Sequence, residues 1–534
     1  MISSYTASQI HDAEVKLLAS GPPERLMEKA AMGAATVILR ELRLRRGQAA
    51  GSQILMLVGT GNNGGDALHA GALLVRRGVA VTAVAASNRV HPAGRRAFEG
   101  AGGRLRTLVE GGPGVWTPIE QVANAARASD GIVDALLGIG AHGALSGHSA
   151  GLVTTLTVEA GLSAPLRYRK PGRPMVFAID VPSGIGVDDG TVDGPVLPAD
   201  VTITFGGYKP GALLPPASGL FGRIELVEIG LDAPLRETDQ QPAARSIEDD
   251  DVIHLWPVPR RGDHKYTRGV LGVVAGSETY PGAAVLTTSA AAAAGVGMVR
   301  YLGPDRAVER VLSRRPEVVP GGGRVDAWAL GPGVAPGAED QLERMRRALK
   351  WARSERVPTV IDAGGFTELP HERLDPWIVL TPHAGELATL LGDRGVPVER
   401  SAIEQSPARY ARMAADMLGG TVLLKGPATV VAGQSNAVYV QADGTPWLAT
   451  AGTGDVLTGL IGVLLAGHGP SVAISPDLPV QLAAVAALVH GRAAVRASGH
   501  EQVGGRTQGA IGSPICALDV IQELPATIAE LLAR

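Results

Sequence analysis

Cysteine is almost missing from this 534-residue chain: Cys516 stands alone. One thiol builds neither a disulfide framework nor a cysteine-based zinc site, and Cys516 is expected to be a small buried apolar residue. An excess of either charge is missing too. The 49 lysines and arginines nearly balance the 52 aspartates and glutamates, leaving a net charge of −3. That balance gives no reason to expect nucleic acid or an anionic membrane as a partner, and Arg40 to Arg46 reads as a solvated helix end. No stretch reaches membrane-span length without polar residues or glycine clusters. Met1 to Thr6 lacks the charged and apolar regions of a secretory signal, so the chain is expected to be cytoplasmic. The richest apolar stretch, Ala283 to Val299, is rich in alanine with glycine and threonine, the composition of a tightly packed buried helix.

What is present is a globular composition, 45% hydrophobic and 19% charged, over a length that calls for two or more domains. Short β-like runs alternate with helical patterns. Thr6 to Glu14 and Pro22 to Leu44 read as helices, with Thr6 as N-cap. Ile54 to Val58, Val79 to Ala85, Ile132 with Val133, Met175 to Ile179, Val201 to Phe205 and Ile224 to Ile229 read as strands. This alternation predicts an α/β fold with a parallel, doubly wound sheet. The polar stretch Leu231 to Asp251 is the best linker candidate, dividing the chain into 1–232 and 251–534 with 233–250 between. Beyond it the alternation restarts, with strands at Val270 to Ala275, Ala327 to Leu330, Thr359 to Ile361, Ile378 to Leu380 and Val422 to Leu424.

Two glycine-rich loops carry the chemistry. Gly452, Thr453, Gly454 and Asp455 run into an apolar helical pattern, Val456 to Ala466. Glycines before a helix let backbone N–H groups crowd around an anion, and the helix N-terminus adds its positive end. Asp455 then falls in the first turn, where a carboxylate can exchange a proton with a hydroxyl on a second ligand. Upstream, the strand Ile54 to Val58 leads into Gly59-Thr60-Gly61-Asn62-Asn63-Gly64-Gly65-Asp66 and a helix from Ala67 to Arg77. This strand–turn–helix context binds phosphate. No Gly-Lys-Ser/Thr closes the loop as in a P-loop, and it is not read as a clean dinucleotide fingerprint. Asn62, Asn63 and Asp66 offer oxygens for a monovalent cation or a ribose.

In open α/β sheets, ligands gather at the carboxyl ends of strands. In the first half Asp134, and Asp180 with Ser183, end strands there. Two close carboxylates require a cation between them or a proton on one, and oxygen ligands suit a hard cation. In the second half, His383 in Thr381-Pro382-His383-Ala384-Gly385-Glu386 and Lys425 in Lys425-Gly426-Pro427-Ala428-Thr429 follow strands. Lys425 can meet phosphate charge and Thr429 can offer a hydroxyl. Gly331-Pro332-Gly333 makes a third glycine turn, and Tyr280-Pro281-Gly282-Ala283-Ala284 allows close approach by a bulky ligand.

Taken in this order, the motifs resemble the bacterial bifunctional NAD(P)H-hydrate repair family. Its members fuse an NAD(P)HX epimerase domain of the YjeF N-terminal type to an ADP-dependent dehydratase of ribokinase-like fold. The resemblance covers nearly the whole chain and implies a Rossmann-like N-terminal domain. It implies that Asn62, Asn63, Gly64, Gly65 and Asp66 bind the hydrate's phosphates and ribose. Asn63, Asp134 and Ser183 would hold a potassium ion. Gly138, Ile139, Gly140, Ala141, His142, Gly143 and Ala144 would line the pocket, with Asp180 facing the hydrated nicotinamide. In the dehydratase, Ala283, Gly333 and His383 would touch the hydrate. Lys425, Gly426, Pro427, Ala428, Thr429 and Gly454 would bind ADP, Mg2+ being a possible companion, and Asp455 would act at the substrate. A homo-oligomer is expected. Two positions depart from its pattern: Ala67 and Ala451 stand where relatives often carry glycine.

The implied reactions are epimerisation at C6 of the hydrate, with Asp180 as general acid/base, and dehydration with Asp455 transferring the proton. The rival readings are a ribokinase-like kinase for a small alcohol such as a vitamin precursor, and a binding module resembling the non-catalytic platforms of decapping-enhancer proteins.

Overall fold

The computed structural model describes residues 1–19, 24–108, 119–141, 143–159, 161–162, 172–237, 240–435, 438–499, 502–503, 506–507 and 512–533. The chain divides into two compact units, Ser3–Ala243 and Ala244–Arg534, with Met1 and Ile2 belonging to the second.

After a short strand β1 (Ile2–Ser4), Thr6 caps the helix Ala7–Leu18. Its side chain accepts from Gln9 N, and the Gln9 side chain returns the bond to Thr6 N. The first unit is built on seven strands, β2 (Gln53–Val58), β3 (Ala80–Ala85), β4 (Arg104–Thr107), β5 (Gly131–Ala135), β6 (Met175–Ile179), β7 (Val201–Phe205) and β8 (Arg223–Val227). They lie in the order β4-β3-β2-β5-β6-β7-β8, and every pair is parallel. Strand β2 explains why its sequence reads as an unbroken apolar run. Ile54, Met56 and Val58 enter one core cluster, while Leu55 and Leu57 enter the cluster on the other face. Strands are added on one side of β2 up to β4 and on the other side from β5 onward, and the crevice at such a switch point is where ligands bind.

The loop after β2 is tighter than its sequence suggested. The helix begins at Asn62, with Gly61 as N-cap, and runs to Arg76, so Asn62 to Asp66 form its first turn. Gly59, Gly61 and Gly64 also match the dinucleotide spacing that the sequence reading set aside. A Cβ on Gly59 would lie 1.8 Å from the Leu136 carbonyl oxygen, and one on Gly64 would lie 2.4 Å from the Gly59 carbonyl oxygen. At Gly61 nothing lies within 4 Å. Two glycines allow the turn to close, and the third leaves open space at a helix N-terminus, as a phosphate-binding turn requires.

The second unit continues with β9 (Ala244–Ser246), β10 (Val270–Val274), β11 (Met298–Tyr301), β12 (Val319–Pro320), β13 (Ala327–Leu330), β14 (Thr359–Ile361), β15 (Ile378–Leu380), β16 (Thr421–Leu424), β17 (Thr429–Ala432) and β18 (Val438–Gln441). They are arranged β9-β18-β17-β16-β15-β14-β13-β10-β11-β12. Pairing is parallel from β12 to β16, whereas β17 pairs antiparallel with both β16 and β18. The sheet is therefore mixed at one side, which the β/α alternation did not reveal. Helices Pro281–Ala293, Thr453–His468, Leu478–Ser498 and Ala517–Leu532 share one core cluster with this sheet. Small residues set their spacing: a Cβ on Gly459 would sit 2.5 Å from the Thr287 carbonyl oxygen.

Three expectations change. The alanine-rich helix stops at Ala293; Gly295 turns with a positive φ, and Met298 and Val299 already belong to β11. The presumed linker is not structureless, for it holds the helix Asp232–Arg236, β9 and the start of the helix Asp249–Leu255. Cys516 is exposed, because it caps the helix Ala517–Leu532 and its N–H donates to Asp519 Oδ2 at 2.8 Å. Among the described residues one helix, Leu478–Ser498, is long and apolar enough to cross a membrane by length and composition, but 83% of its most apolar window is buried in the fold.

Candidate active sites

In the first unit, Asn63, Asp134, Ser183 and the turn after β5 come together. Asp134 is fully buried, and its carboxylate accepts from Ser183 N at 2.9 Å, Ser183 Oγ at 2.6 Å and Leu136 N at 3.3 Å. Burial pushes its carboxyl up, against these three bonds. Asn63 Nδ2 donates to the Leu137 carbonyl at 2.8 Å, and a Cβ on Gly138 would lie 2.9 Å from Asn63 Cβ. Ile139 packs between two core clusters, and Ala144 stands 2.8 Å from where a Cβ on Gly194 would be. Gly140 and Gly143 are exposed, Ala141 is half-buried, and His142 lies outside the described residues.

Asp180 follows β6 with a left-handed backbone, φ 67°, a region that few non-glycine residues occupy, aspartate among the commoner ones. Its Oδ1 accepts from Thr204 Oγ1 at 3.0 Å, from Phe205 N at 3.2 Å and from the ammonium of Lys209. Lys209 is 1% exposed, and its remaining donors reach Thr204 Oγ1 at 3.1 Å and the Phe205 carbonyl at 2.8 Å. The cation that compensates Asp180 is thus a lysine of the chain. Burial, then the charges of Asp180 and Glu14, push the Asp66 carboxyl up to about 8. Glu14 is raised as well, by burial and Asp180, against Lys209 and His11.

In the second unit the site lies along the carboxyl ends of β10 and β13 to β16. Asp362, directly after β14, is 2% exposed. Its Oδ1 accepts from Lys425 Nζ at 2.7 Å and from Thr381 Oγ1 at 2.9 Å, while Oδ2 lies 3.1 Å from Thr458 Oγ1. Lys425, after β16, also stands 3.9 Å from Glu386. Burial alone would lower its ammonium, but Asp362, Glu386 and Asp455 raise it.

Gly452 takes a left-handed φ of 88° and caps the helix Thr453–His468. A Cβ on Gly454 would lie 3.5 Å from Lys425 Nζ and 3.9 Å from Asp362 Oδ2, so the opening turn of that helix faces the ion pair. Asp455 is in the same turn. Burial and then Asp362 push its carboxyl up to about 7, against the pull of Lys425.

Around this centre, Ala283 and Gly333 are neighbours: a Cβ on Gly333 would lie 2.3 Å from Ala283 Cβ. His383 is exposed, yet its Nδ1 caps the helix Ala384–Gly392 by accepting from Gly385 N at 3.0 Å and Glu386 N at 3.1 Å. Its Nε2 stands 3.7 Å from Glu386 Oε1. Gly426, Pro427 and Ala428 form the short connection from β16 to β17, and Thr429 begins β17. Of the two departures from the family pattern, Ala67 is buried in its helix and Ala451 is exposed.

The sequence reading passed over Lys209, Glu14, Thr204, Asp362 and Thr458. Asp362 had a signal, because it directly follows a recognised strand, the position that singled out Asp134 and Asp180. Lys209 lies four residues past the end of β7, and only the folded turn brings it back.

Residues 271–513 match the family described as NAD(P)H-hydrate dehydratase, and residues 23–211 match the YjeF-related protein N-terminus. The Mycobacterium leprae protein named bifunctional NAD(P)H-hydrate repair enzyme Nnr is 41% identical over 479 residues, covering 88% of this chain and 90% of its own. The Escherichia coli protein of that name is 31% identical over 467 residues, covering 82% and 83%. Among solved structures, the ADP/ATP-dependent NAD(P)H-hydrate dehydratase of Bacillus subtilis, co-crystallized with ATP/Mg2+, is 25% identical with a TM-score of 0.44. It covers 54% of this chain and 99% of that one.

Proposed function

The chain belongs to the bifunctional NAD(P)H-hydrate repair enzymes, and on that premise we propose which of its residues carry the two reactions. It restores NADH and NADPH from their hydrates, epimerising the R and S forms and dehydrating the S form with consumption of a nucleotide. We assign epimerisation to 1–232, dehydration to 251–534, and ADP as the nucleotide.

The epimerisable carbon is C6, which bears the hydroxyl beside the ring nitrogen. Donation of the nitrogen lone pair lets the C6–O bond break and leaves a stabilised cation. Asp66, protonated up to about pH 8, supplies the proton on the departing oxygen. Water then adds to either face, and Asp180 takes its proton as general base. Its carboxylate has Oδ2 available, because all three donors sit on Oδ1. The Asn62 to Asp66 turn holds the phosphates and ribose, and the turn from Gly138 to Ala144 lines the pocket. Asn63, Asp134 and Ser183 fit a potassium ion: Asp134 is buried with no cationic side chain on it among the described residues, and Asn63 Nδ2 is already committed to Leu137. That ion would supply positive charge beside the phosphate-binding turn.

Dehydration breaks C6–O and removes a C5 proton. Loss of water alone would leave a nucleotide unused, so its consumption is assigned to making a better leaving group. Asp455 takes the hydroxyl proton as the oxygen receives the terminal phosphoryl group of ADP. Phosphate then leaves with help from the ring nitrogen and takes up the C5 proton, and NAD(P)H, AMP and phosphate result. Lys425, the 426–429 connection and the amides at Gly454 bind the nucleotide, while Ala283, Gly333 and His383 Nε2 meet the hydrate.

The observation that carries this reading is Asp455 itself: a carboxyl titrating near neutrality in a glycine-opened helical turn that faces Lys425. The experiment is nucleotide-dependent recovery of NADPH from the S hydrate. D455N should lose about 10²–10⁴-fold in rate, the usual contribution of a positioned acid/base. A variant close to the wild-type rate would remove Asp455 from the mechanism.

A further inference from the structure

Asp362 ties together the groups around Asp455, although it touches neither ligand in the scheme above. Its one carboxylate joins three strand ends and a helix, since Lys425 follows β16, Thr381 follows β15, Asp362 follows β14, and Thr458 lies one turn beyond Asp455 on the helix Thr453–His468. Thr458 Oγ1 is 3.0 Å from the Gly454 carbonyl and 3.1 Å from Asp362 Oδ2, so the hydroxyl sits between the glycine turn and the carboxylate. With 2% exposure, Asp362 has no solvent to neutralise it and acts on whatever faces it.

We propose that Asp362 is the positioning residue of the dehydration site: it fixes Lys425 toward the nucleotide, holds the Asp455 helix through Thr458, and sets its carboxylate against the turn that carries Asp455. The proposal rests on the dehydration reading above. The charged groups facing Asp455 are Asp362, which raises its proton affinity, and Lys425, which lowers it. Glu386 acts one step out through Lys425, and His383 lies beyond Glu386. The positive end of the helix also favours the ionised form of Asp455. Removing the Asp362 charge while keeping its shape leaves Lys425 and the helix end unopposed, which must lower the pH at which Asp455 gains its proton.

The test is the pH dependence of dehydration at saturating nucleotide, in wild type, D362N, D362E and K425M. Wild type should lose rate as pH falls through about 7. D362N should move that acid limb down by about one pH unit, so that its ratio of rate at acidic to neutral pH rises even as the nucleotide KM increases. D362E, which keeps the charge, should return the limb toward wild type. K425M, which leaves Asp362 unpaired beside Asp455, should move the limb up; should D362N fail to fold, the double variant D362N/K425M decides, because its limb should lie below that of K425M. A limb that stays fixed in D362N, or a double variant whose limb matches that of K425M, overturns the proposal; a merely structural role would lower the rate without moving it. Complete lack of nucleotide-dependent dehydration in wild type would strike the proposed function instead.

Discussion

Asp66 and Asp455 are both carboxyls held up by burial and by a second carboxylate that is itself paired with lysine: Asp180 with Lys209 in one unit, Asp362 with Lys425 in the other. In each case the lysine-paired aspartate raises the proton affinity of the unpaired one, an arrangement that separates roles between neighbouring carboxyls. The two sites should therefore respond to pH with opposite sign. Epimerisation needs Asp66 protonated and should fall as pH rises through about 8. Dehydration needs Asp455 ionised and should fall as pH drops through about 7. Separate pH profiles of the two activities check this, and two limbs on the same side would contradict it. Glycine-rich motifs singled out both residues in the sequence, Asp66 as a phosphate- and ribose-binding group and Asp455 as a proton-transfer group, and both lie in the first turn of a helix. Their lysine-paired partners were only half legible. Asp180 ends a strand, but Lys209 reaches it through a turn, and the electrostatic weight of Asp362 depends on burial that no local pattern encodes.

At the scale of elements, the turn after β2 shows why glycines in one motif are not equivalent. Gly59 has a carbonyl 1.8 Å from any added Cβ, whereas Gly61 has nothing within 4 Å. G59A should destabilise the first unit by about 1–3 kcal/mol or more, the usual cost of overpacking, read as a lowered Tm. G61A should leave Tm nearly unchanged and raise the KM for the hydrate, because its methyl enters the space left for phosphate. If G61A instead unfolds the unit and G59A does not, the assignment of the two glycines is reversed. The strands were well read because burial on both faces leaves a continuous apolar run, as in β2. The helix start at Asn62 was missed because Asn-Asn-Gly-Gly opposes helix propensity, and the turn is held by β2 and β5 rather than by its own residues. The alanine-rich helix was read too long because Gly295 interrupts a composition that does not otherwise change. Cys516 was misplaced because a lone cysteine's burial follows from its element, and here it is a cap.

For the molecule as a whole, the chain divides into two compact units, and the proposed function places one reaction in each. Damage to one site should therefore leave the other at work. D455N should still interconvert the R and S hydrates, and D180N should still dehydrate the S hydrate. Chromatographic separation of the epimers follows the first activity and nucleotide-dependent appearance of NADPH the second; joint loss of both in either variant would argue against separable sites. The two-domain division was legible from length and from the restart of the β/α alternation. The short elements inside the presumed linker were not, because polar composition there comes from exposed helix starts such as Asp249 to Asp251.

The central claim is that one chain repairs both hydrate epimers. The most direct measurement is the near-ultraviolet absorbance of reduced nicotinamide, followed in a mixture of R and S NADPHX with this protein and ADP. Complete recovery of NADPH, dependent on the nucleotide, is the predicted result. Recovery that stops at the S fraction would contradict the epimerase assignment, and a stable phosphorylated product with no recovered NADPH would contradict the dehydratase assignment in favour of a kinase.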